Sequence, residues 1–431
     1  MTFKPYLEKL KTTARRLNSQ GFFHIMISSS LVKVASLLSA MFLPDFMSRD
    51  DFGVLTFVDN IRGYILLFNG IGIANATLRY CALTDDKARQ KGIFLATLKI
   101  GIAVDAVIVA LSAACFFFIP FSFGSNHLLL MLSLFPPLLF LLEDMQLLFR
   151  PTLHNRAYSA SSLFYAVTMV GGQVILCFFM GLDGVVLGRY LAVGLSLVFT
   201  AVVFYRCGFG RVKSIPPSKD TVFKSLKLGI TFSFSTACSL MLTLNEGLII
   251  SQIVKDKAKL ADYGVAIKPM QITIFITQSL LIFVFPYFTK HLNDTVWLWR
   301  NFKKMMLFNA AAMIPLHILI ILLTKPVLVL LYGQKYISAV PVMQTIMLAS
   351  LVQTVFRAVP GNLLVAAGKE KFNLIVNIIF LAVHFGVSTW AISNFGINGA
   401  AIALCTVYFL SGALMIWYFR RFCKRGETAK V

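Results

Sequence analysis

The sequence contains few cysteines and histidines, and neither residue type forms a metal-binding or disulfide pattern. Its 431 residues include 7 cysteines, with no Cys-x-x-Cys pair, and 6 histidines. His24, His317 and His384 fall singly within apolar stretches. Disulfide frameworks and metal sites need their ligands at short, regular spacings. The sequence therefore predicts no disulfide and no bound metal.

Charged residues are also scarce, and acidic ones are the rarest. Only 13% of residues are charged, 58% are hydrophobic, and the mean hydropathy is +0.79. This composition lies outside the range of soluble globular domains. No polar stretch is long enough for a separate soluble domain, which argues against a membrane-anchored enzyme with a catalytic head.

Long apolar runs make up most of the chain instead. A helix needs about 20 mostly apolar residues to cross a bilayer, and runs of this length recur with short polar breaks. The sequence predicts an all-α polytopic membrane protein with about twelve transmembrane helices in two six-helix lobes around a central cavity. The predicted spans are 22–43, 54–78, 93–119, 127–149, 159–180, 185–205, 228–253, 263–289, 305–324, 338–366, 373–393 and 397–419.

The basic residues indicate the topology. Lysine and arginine number 40 against 18 acidic residues, for a net charge of +22. Most of them fall in the segments that are cytoplasmic if the N-terminus is inside, so the positive-inside rule predicts that both termini are cytoplasmic. The charge thus reflects topology, and we expect no nucleic acid partner. A cluster of Lys255, Lys257 and Lys259 on the predicted outer side has no explanation.

An internal duplication divides the predicted spans into two lobes. Asp-Phe-Gly-Val at 51–54 recurs as Asp-Tyr-Gly-Val at 262–265, and Gly-Leu-Asp-Gly at 181–184 recurs as Gly-Ile-Asn-Gly at 396–399. The two matches occur in the same order and at nearly the same offset. The predicted organisation is an N-lobe at 21–206, a cytoplasmic linker at 207–226, a C-lobe at 227–420 and a cytoplasmic tail at 421–431.

The first residues have a separate amphipathic pattern. Within 1–20, apolar residues fall on one helical stripe with lysines and arginines around it. This pattern predicts a cytoplasmic amphipathic helix that lies on the anionic lipids of the inner leaflet. We expect no cleaved signal peptide, because no small-residue cleavage site follows the basic stretch.

Five short motifs resemble those of a known transporter superfamily. They are Asp-Phe-Gly at 51–53, Asp-Tyr-Gly-Val-Ala-Ile-Lys at 262–268, Leu-Tyr-Gly-Gln-Lys-Tyr at 331–336, Ala-Gly-Lys-Glu-Lys at 367–371 and Phe-Gly-Ile-Asn-Gly-Ala-Ala at 395–401. Together they resemble the polysaccharide-export branch, specifically the Wzx-type O-antigen flippases, of the superfamily that also holds the multidrug and toxic-compound extrusion transporters.

The resemblance implies a V-shaped central cavity and alternating access. It implies a flippase that moves an undecaprenyl-diphosphate-linked oligosaccharide, an O-antigen-like repeat unit, from the cytoplasmic to the periplasmic leaflet of the bacterial inner membrane. Implied partners are this lipid-linked glycan, membrane lipids, and polysaccharide polymerase and chain-length proteins. We expect no cofactor, although proton or sodium coupling is compatible with this fold.

Basic residues inside predicted spans indicate a binding surface, because a buried cation at a helix centre costs about 2.5 to 3.5 kcal/mol. Several share a helix face with polar residues, so these faces are predicted to line a wet cavity, where cations replace the hydration of a diphosphate. The predicted substrate-binding residues are Lys33, Arg62, Lys268, Arg189, Arg357, Asn69, Gln271 and Gln278. Asp59 and Glu246 are predicted to balance these charges or bind a coupling ion, and Pro360 with Gly361 to form a hinge.

Other interpretations of these residues remain open. Arg62 is one turn from Asp59, so the two could form an ordinary intrahelical ion pair. Glu143 and Asp144 resemble a paired-carboxylate site, but we predict that they face cytoplasmic water and have no catalytic role.

Two other functions compete with the flippase. A cation-coupled drug antiporter on the same fold is the alternative, but it would need buried carboxylates for cationic cargo, and the predicted spans are richer in bases. A membrane-embedded glycan polymerase would be expected to have a long external loop, which this chain lacks. We therefore expect a transporter and no enzyme.

Overall fold

The structure of the protein is a computed structural model, which describes residues 42–292 and 294–425. The predicted amphipathic segment at 1–20, almost all of the first predicted span, Lys33 and the end of the predicted tail lie outside the described residues. Within the described residues every regular element is helical, as predicted. Helices are the expected solution in lipid, because each residue satisfies its backbone groups within its own segment.

The described helices are numbered here in chain order. They are α1 Arg49–Leu66, α2 Ala74–Cys81, α3 Lys87–Phe118, α4 Asn126–Leu132, α5 Phe135–Leu148, α6 Asn155–Arg206, α7 Lys219–Ile253, α8 Lys257–Lys290, α9 Thr295–Leu322, α10 Thr324–Tyr332, α11 Val340–Val352, α12 Val359–Ala366, α13 Glu370–Phe395 and α14 Ile397–Arg425. Short 3₁₀ turns lie at Leu43–Phe46, Asn69–Gly72, Ser122–Gly124 and Gln334–Ala339, and a π-helical segment lies at Gln353–Ala358.

Aspartate side chains begin several of the long helices. Asp86 accepts a hydrogen bond from the backbone N–H of Ala88 at 2.8 Å, at the start of α3. Asp294 accepts one from Trp297 N at 2.8 Å, at the start of α9. These caps satisfy N–H groups that have no partner within the helix. They explain why both helices start before their apolar runs.

Within the described residues, seven helical segments are long and apolar enough to cross a membrane, or eight if the bent α7 is counted as one span. Two of the seven, Asn126–Leu148 and Gln334–Ala366, join consecutive helices. The predicted all-α polytopic fold is therefore confirmed, whereas the exact number of twelve spans is not. Helix α6 shows one reason for the difference. It holds two predicted spans within 52 residues.

Helix α6 is a hairpin of two antiparallel arms. Its backbone turns at Gly181, which has φ 59° and ψ −134°. A Cβ atom added to Gly172 would lie 2.8 Å from the carbonyl oxygen of Gly188 in the other arm, so the arms touch through backbone atoms. The rings of Phe164 and Phe199 stack between the arms with centroids 4.5 Å apart. The arms correspond to the predicted spans 159–180 and 185–205.

The turn between α13 and α14 has the same geometry. Gly396 has φ 58° and ψ −144°, close to the values at Gly181. Gly184 packs on the carbonyl oxygen of Leu176, and Gly399 packs on that of Ala391, so each turn is closed by its second glycine. Positive φ favours glycine because it lacks a Cβ atom. A duplication predicts the same backbone geometry in both copies of a motif, and these two turns share it.

The chain forms two compact units. Unit 1 contains Arg62–Thr236 and, of Met1–Met47, the described residues from 42 onward. Unit 2 contains Ser48–Ile61 and, of Ala237–Val431, the residues up to 425. One core cluster of unit 1 includes Leu148 and Phe209, and one of unit 2 includes Phe302 and Phe419. Both α1 and α7 contribute residues to each unit. The predicted lobe limits at 21–206 and 227–420, and the tail at 421–431, remain predictions.

Residues from the predicted linker at 207–226 pack onto unit 1. Lys87 Nζ donates to Cys207 O at 3.0 Å, and Lys91 Nζ donates to Val212 O at 2.7 Å. Ile215 N donates to Ala88 O at 3.0 Å. The first turn of α3 therefore holds this segment through main-chain oxygens and one main-chain N–H.

Candidate functional site

A break between α1 and α2 forms a polar centre in unit 1. Gly70 and Ile71 have φ values of 53° and 47°, which end helical bonding there. Gly70 N donates to Asp105 Oδ1 at 2.7 Å. With the Asn69 amide oriented so that its nitrogen faces the acceptors, Asn69 Nδ2 donates to Asp105 Oδ2 at 3.0 Å and to Pro136 O at 3.1 Å. Asp105 has no exposed surface, and its carboxylate takes the place of water as the acceptor for these N–H groups.

Glu143 and Asp144 of α5 lie close to this centre. Asp144 is fully buried, accepting a hydrogen bond from Thr77 Oγ1 at 2.7 Å and one from Thr97 Oγ1 at 3.3 Å. The prediction that this pair faces cytoplasmic water is therefore wrong for Asp144, because threonine hydroxyls from α2 and α3 replace water as its hydrogen-bond donors. Glu143 is accessible.

Two of the predicted cations also lie in unit 1. The guanidinium of Arg62 is half-buried, 5.9 Å from the ring centroid of Phe135. Arg189 is buried, and its Nε donates to Gln173 Oε1 at 3.1 Å between the two arms of α6. Arg62, Arg189 and Asn69 therefore all lie in unit 1, and Asn69 contacts the Asp105 carboxylate there.

The polar stripe predicted on α8 is accessible. Gln271 is exposed, and Lys268 and Gln278 are half-buried. The residues buried on another face of α8 are Met270, Thr273, Thr277 and Leu281. The face of α8 that carries apolar residues and threonines therefore packs inside unit 2. The predicted binding face points away from the core of that unit.

Arg357 occupies a π-helical segment in unit 2. Its Nη2 donates to Asn377 Oδ1 at 2.8 Å, and its guanidinium lies 5.3 Å from the ring centroid of Tyr408. Only 9% of the residue is exposed, so most of its surface already contacts protein. Its predicted substrate-binding role remains a prediction.

The predicted hinge directly follows this π-helical segment. Pro360 has no N–H, so it cannot donate to the carbonyl oxygen of Phe356 four residues earlier. Gly412 of α14 approaches that carbonyl, since an added Cβ would lie 2.5 Å from Phe356 O. Mid-helix π segments are frequent at functional sites. The structure thus supplies a physical cause for irregular helix geometry just before Pro360 and Gly361.

Glu246 of α7 is the most enclosed of the predicted site residues. His384 Nε2 lies 2.8 Å from Glu246 Oε1, and Ser388 Oγ donates to Glu246 Oε2 at 2.6 Å. All three side chains are fully buried. The interpretation of His384 as an isolated histidine is therefore wrong. Asp59, the other predicted coupling residue, is half-buried on α1.

Sequence analysis did not identify Asp105 or His384 as site residues, although signals for both were present. Asp105 is an acid in the middle of a long apolar run, which is as unusual as the basic residues that were noticed. His384 and Ser388 are spaced four residues apart and therefore share a helix face. A partner on another helix could not be predicted from either signal.

A family profile matches more than half of the chain. A profile of the family described as polysaccharide biosynthesis protein matches residues 19–292. An uncharacterized membrane protein of Methanocaldococcus jannaschii is 26% identical over 244 residues, which are 52% of this chain and 46% of that protein. The chain therefore spans about half the length of this relative.

A second relative covers more of the chain. An uncharacterized membrane protein in the cps region of Klebsiella pneumoniae is 22% identical over 419 residues, which are 91% of this chain and 80% of that protein. The match therefore extends through both units.

Solved structures share the fold. A multidrug resistance MATE family transporter of the MOP superfamily, in its inward-facing conformation, matches with a TM-score of 0.80 and 11% identity, covering 94% of this chain and all of that one. A MOP superfamily transporter from Pyrococcus furiosus, described by a reverse polarity of its binding pocket, matches with a TM-score of 0.67 and 12% identity, covering 95% and 96%. At such identities the likeness establishes the fold alone.

Proposed function

Since this chain belongs to the polysaccharide biosynthesis protein family, we propose that it flips an undecaprenyl-diphosphate-linked oligosaccharide from the cytoplasmic to the periplasmic leaflet. The chain is a membrane transporter in the polysaccharide-export branch of the MOP superfamily. We place it in the bacterial inner membrane with both termini in the cytoplasm. In this proposal the cargo is handed to polysaccharide polymerase and chain-length proteins, and the transporter needs no bound cofactor.

The observation that carries the proposal is the accessible polar face of α8. Lys268, Gln271 and Gln278 lie outside the buried core of unit 2, on a helix whose other positions are mostly apolar. A lysine on such a face is costly in lipid, and an anionic cargo offsets that cost. Amide side chains supply both donors and acceptors for sugar hydroxyls. A lipid-linked glycan diphosphate combines these two chemistries.

We assign roles to the predicted residues on this basis. Lys33, Arg62 and Lys268 bind the diphosphate or an acidic sugar, and Asn69, Gln271 and Gln278 contact sugar hydroxyls. Arg189 and Arg357 add positive potential from buried positions. Asp59 and Glu246 balance these charges when the cargo is absent, or bind a coupling proton or sodium ion. Bending at Pro360 and Gly361 accompanies alternating access.

Deletion of the gene tests the proposal. Without the protein, undecaprenyl-linked repeat units should accumulate in the cytoplasmic leaflet, and surface polysaccharide should be lost. Plasmid-borne wild type should restore both, whereas Lys268→Glu at normal membrane levels should restore neither. Repeat units that reach the outer leaflet in the deletion strain would contradict the proposed flippase.

A cation-coupled drug antiporter remains a second candidate. It is favoured by the buried carboxylates Asp105, Asp144 and Glu246, which suit proton or cation exchange, and by the MATE-like fold. Under this alternative, deletion lowers tolerance to cationic drugs and leaves the distribution of lipid-linked glycans unchanged.

A further inference from the structure

Glu246 and His384 form a fully buried pair between α7 and α13 in unit 2. His384 Nε2 lies 2.8 Å from Glu246 Oε1, and Ser388 Oγ donates to Glu246 Oε2 at 2.6 Å. None of the three side chains has exposed surface. His384 and Ser388 are one turn apart on α13, so one helix face presents both groups to the same carboxylate.

The hydrogen bonds indicate the tautomer of His384. An ionised carboxylate only accepts hydrogen bonds, and both oxygens of Glu246 have a neighbour that can donate. With Glu246 ionised, His384 Nε2 carries the hydrogen, and the neutral ring has a lone pair on Nδ1. Nδ1 has no hydrogen-bond partner among the described residues. Nδ1 is therefore the atom at which the neutral ring can take up a proton.

Other polar and ionisable groups reach the pair from neighbouring elements. Tyr408 of α14 interacts electrostatically with both Glu246 and Arg357. The guanidinium of Arg357, on the π-helical segment, lies 5.3 Å from the ring centroid of Tyr408. Glu246 and Arg357 carry opposite formal charges on either side of the Tyr408 interaction. Uptake of one proton by His384 leaves this cluster with one additional positive charge.

We propose that the Glu246–His384 pair is the proton-binding site of this transporter. The lone pair of His384 Nδ1 forms a bond to one proton taken from water, and the resulting imidazolium is held by the Glu246 carboxylate. Release returns the proton to water and restores the neutral ring. This assignment rests on the proposed function. The proton bound here would couple a transmembrane proton gradient to movement of the glycan lipid.

Complete burial of the pair has a mechanical consequence. A proton cannot exchange with water at a site without exposed surface, so loading or unloading requires α13 to separate from α7 around His384. The irregular π-helical segment next to Pro360 lies in the same unit and carries Arg357. Helix movement in unit 2 and proton exchange are therefore linked in this proposal.

Nitrogen NMR of the full-length protein in lipid nanodiscs tests the site directly, and it needs no transport substrate. The protein is labelled with ¹⁵N-histidine and titrated from about pH 9 to about pH 5, the range in which histidines change charge. We expect one ring with a hydrogen on Nε2 and a bare Nδ1 that gains a proton as the pH falls. This signal should be missing in His384→Gln and present in the control His317→Gln.

His317 is the matched control because it is also fully buried, but it bonds to Met313 O and Ser350 Oγ and not to a carboxylate. In Glu246→Gln the His384 ring should stay neutral over the same range, since the buried cation has lost its counter-ion. Ser388→Ala, which keeps both members of the pair, provides a second variant if Glu246→Gln does not fold. It should retain the titration. A His384 ring that stays neutral in wild type, or that titrates identically in Glu246→Gln, would overturn the proposal.

A flux measurement tests the coupling. In vesicles containing the undecaprenyl-diphosphate-linked glycan, a pH gradient should accelerate transport by wild type and His317→Gln and have no effect on His384→Gln. A gradient effect retained in His384→Gln would contradict coupling at this site. If wild type moves no glycan lipid at all, the proposed function fails, while the NMR titration still decides whether the pair binds a proton.

Discussion

At the scale of single residues, the buried carboxylates differ in how they are solvated. Asp144 depends on two threonine hydroxyls, whereas Asp105 depends on the backbone of Gly70 and the amide of Asn69. Sequence analysis identified Arg62, Asn69 and Glu246 as polar positions within spans, because such residues are rare in lipid-facing helices. The partners of Asn69 and Glu246 could not be predicted, since Asp105 and His384 are distant from them in sequence.

Removal of a hydroxyl that solvates Asp144 should destabilise the protein. Thr77→Val leaves the buried carboxylate with one donor fewer, and we expect a loss of about 1 to 3 kcal/mol in unfolding free energy. Thr406→Val is the control, because half-buried Thr406 donates its hydroxyl to Ile402 O in its own helix and has no carboxylate partner among the described residues. Thermal unfolding of the purified variants compares them. Equal midpoints for the two variants would contradict the role of Thr77.

At the scale of helices, glycine contacts determine how closely neighbours approach. The α6 hairpin turns at Gly181, and its arms touch at Gly172 and Gly188. The two predicted spans and the Gly-Leu-Asp-Gly turn were visible in the sequence. The break between α1 and α2 was not, because its irregular backbone depends on Asp105 from α3, a partner distant in sequence.

Valine at one of these contacts should separate the arms of α6. Gly188→Val places a branched side chain against backbone atoms of Gly172 and Gln173, and overpacking of this kind costs about 1 to 3 kcal/mol. Gly194→Val, six residues later on the same arm, is the control because no atom lies within 4 Å of its added Cβ. Folded yield after size-exclusion chromatography is the measurement. Similar yields for both variants would show that the arms do not need this close contact.

The π-helical segment offers a test of the hinge. Pro360→Ala restores an N–H that can donate to Phe356 O, so the helix should become more regular and transport slower by about tenfold, as a barrier increase of about 1.4 kcal/mol would give. Gly386→Ala on α13 is the control, since it lies outside the predicted hinge and no atom of the described residues lies within 4 Å of its added Cβ. Transport rate and cargo binding are measured together. An unchanged rate in Pro360→Ala would argue against a hinge here.

At the scale of the whole molecule, the two compact units do not follow the predicted repeats throughout. Turns at Gly181 in unit 1 and Gly396 in unit 2 have nearly the same backbone angles, whereas the motifs at 51–54 and 262–265 both lie in unit 2. The duplication itself stays a prediction. Unit membership was harder to predict. Ser48–Ile61 belongs to unit 2 although it precedes most of unit 1 in sequence, because side chains on α1 pack on α7 and α8, with Asn60 against Gly247 and Thr56 against Gly264.

An ion pair helps to fasten the start of α1 within unit 2. Arg49 Nε donates to Asp262 Oδ1 at 3.2 Å, and a second guanidinium nitrogen contacts Asp262 Oδ2 and Ser338 Oγ. Arg49→Asp should destabilise unit 2 by placing two acids together, and combining Arg49→Asp with Asp262→Arg should recover part of the loss. Unfolding midpoints of both single variants and the double variant measure the coupling. Additive effects would show that the pair is not coupled.

The central claim is that this chain moves an anionic glycan lipid across a bilayer, and reconstitution of the purified protein with the undecaprenyl-diphosphate-linked glycan tests it most directly. An impermeant glycan-oxidising reagent reports the fraction of lipid in the outer leaflet. We predict that wild type makes nearly all of the glycan accessible, and that Lys268→Glu slows this exchange by at least about tenfold, equivalent to about 1.4 kcal/mol. Equal accessibility in vesicles with and without the protein would contradict the claim.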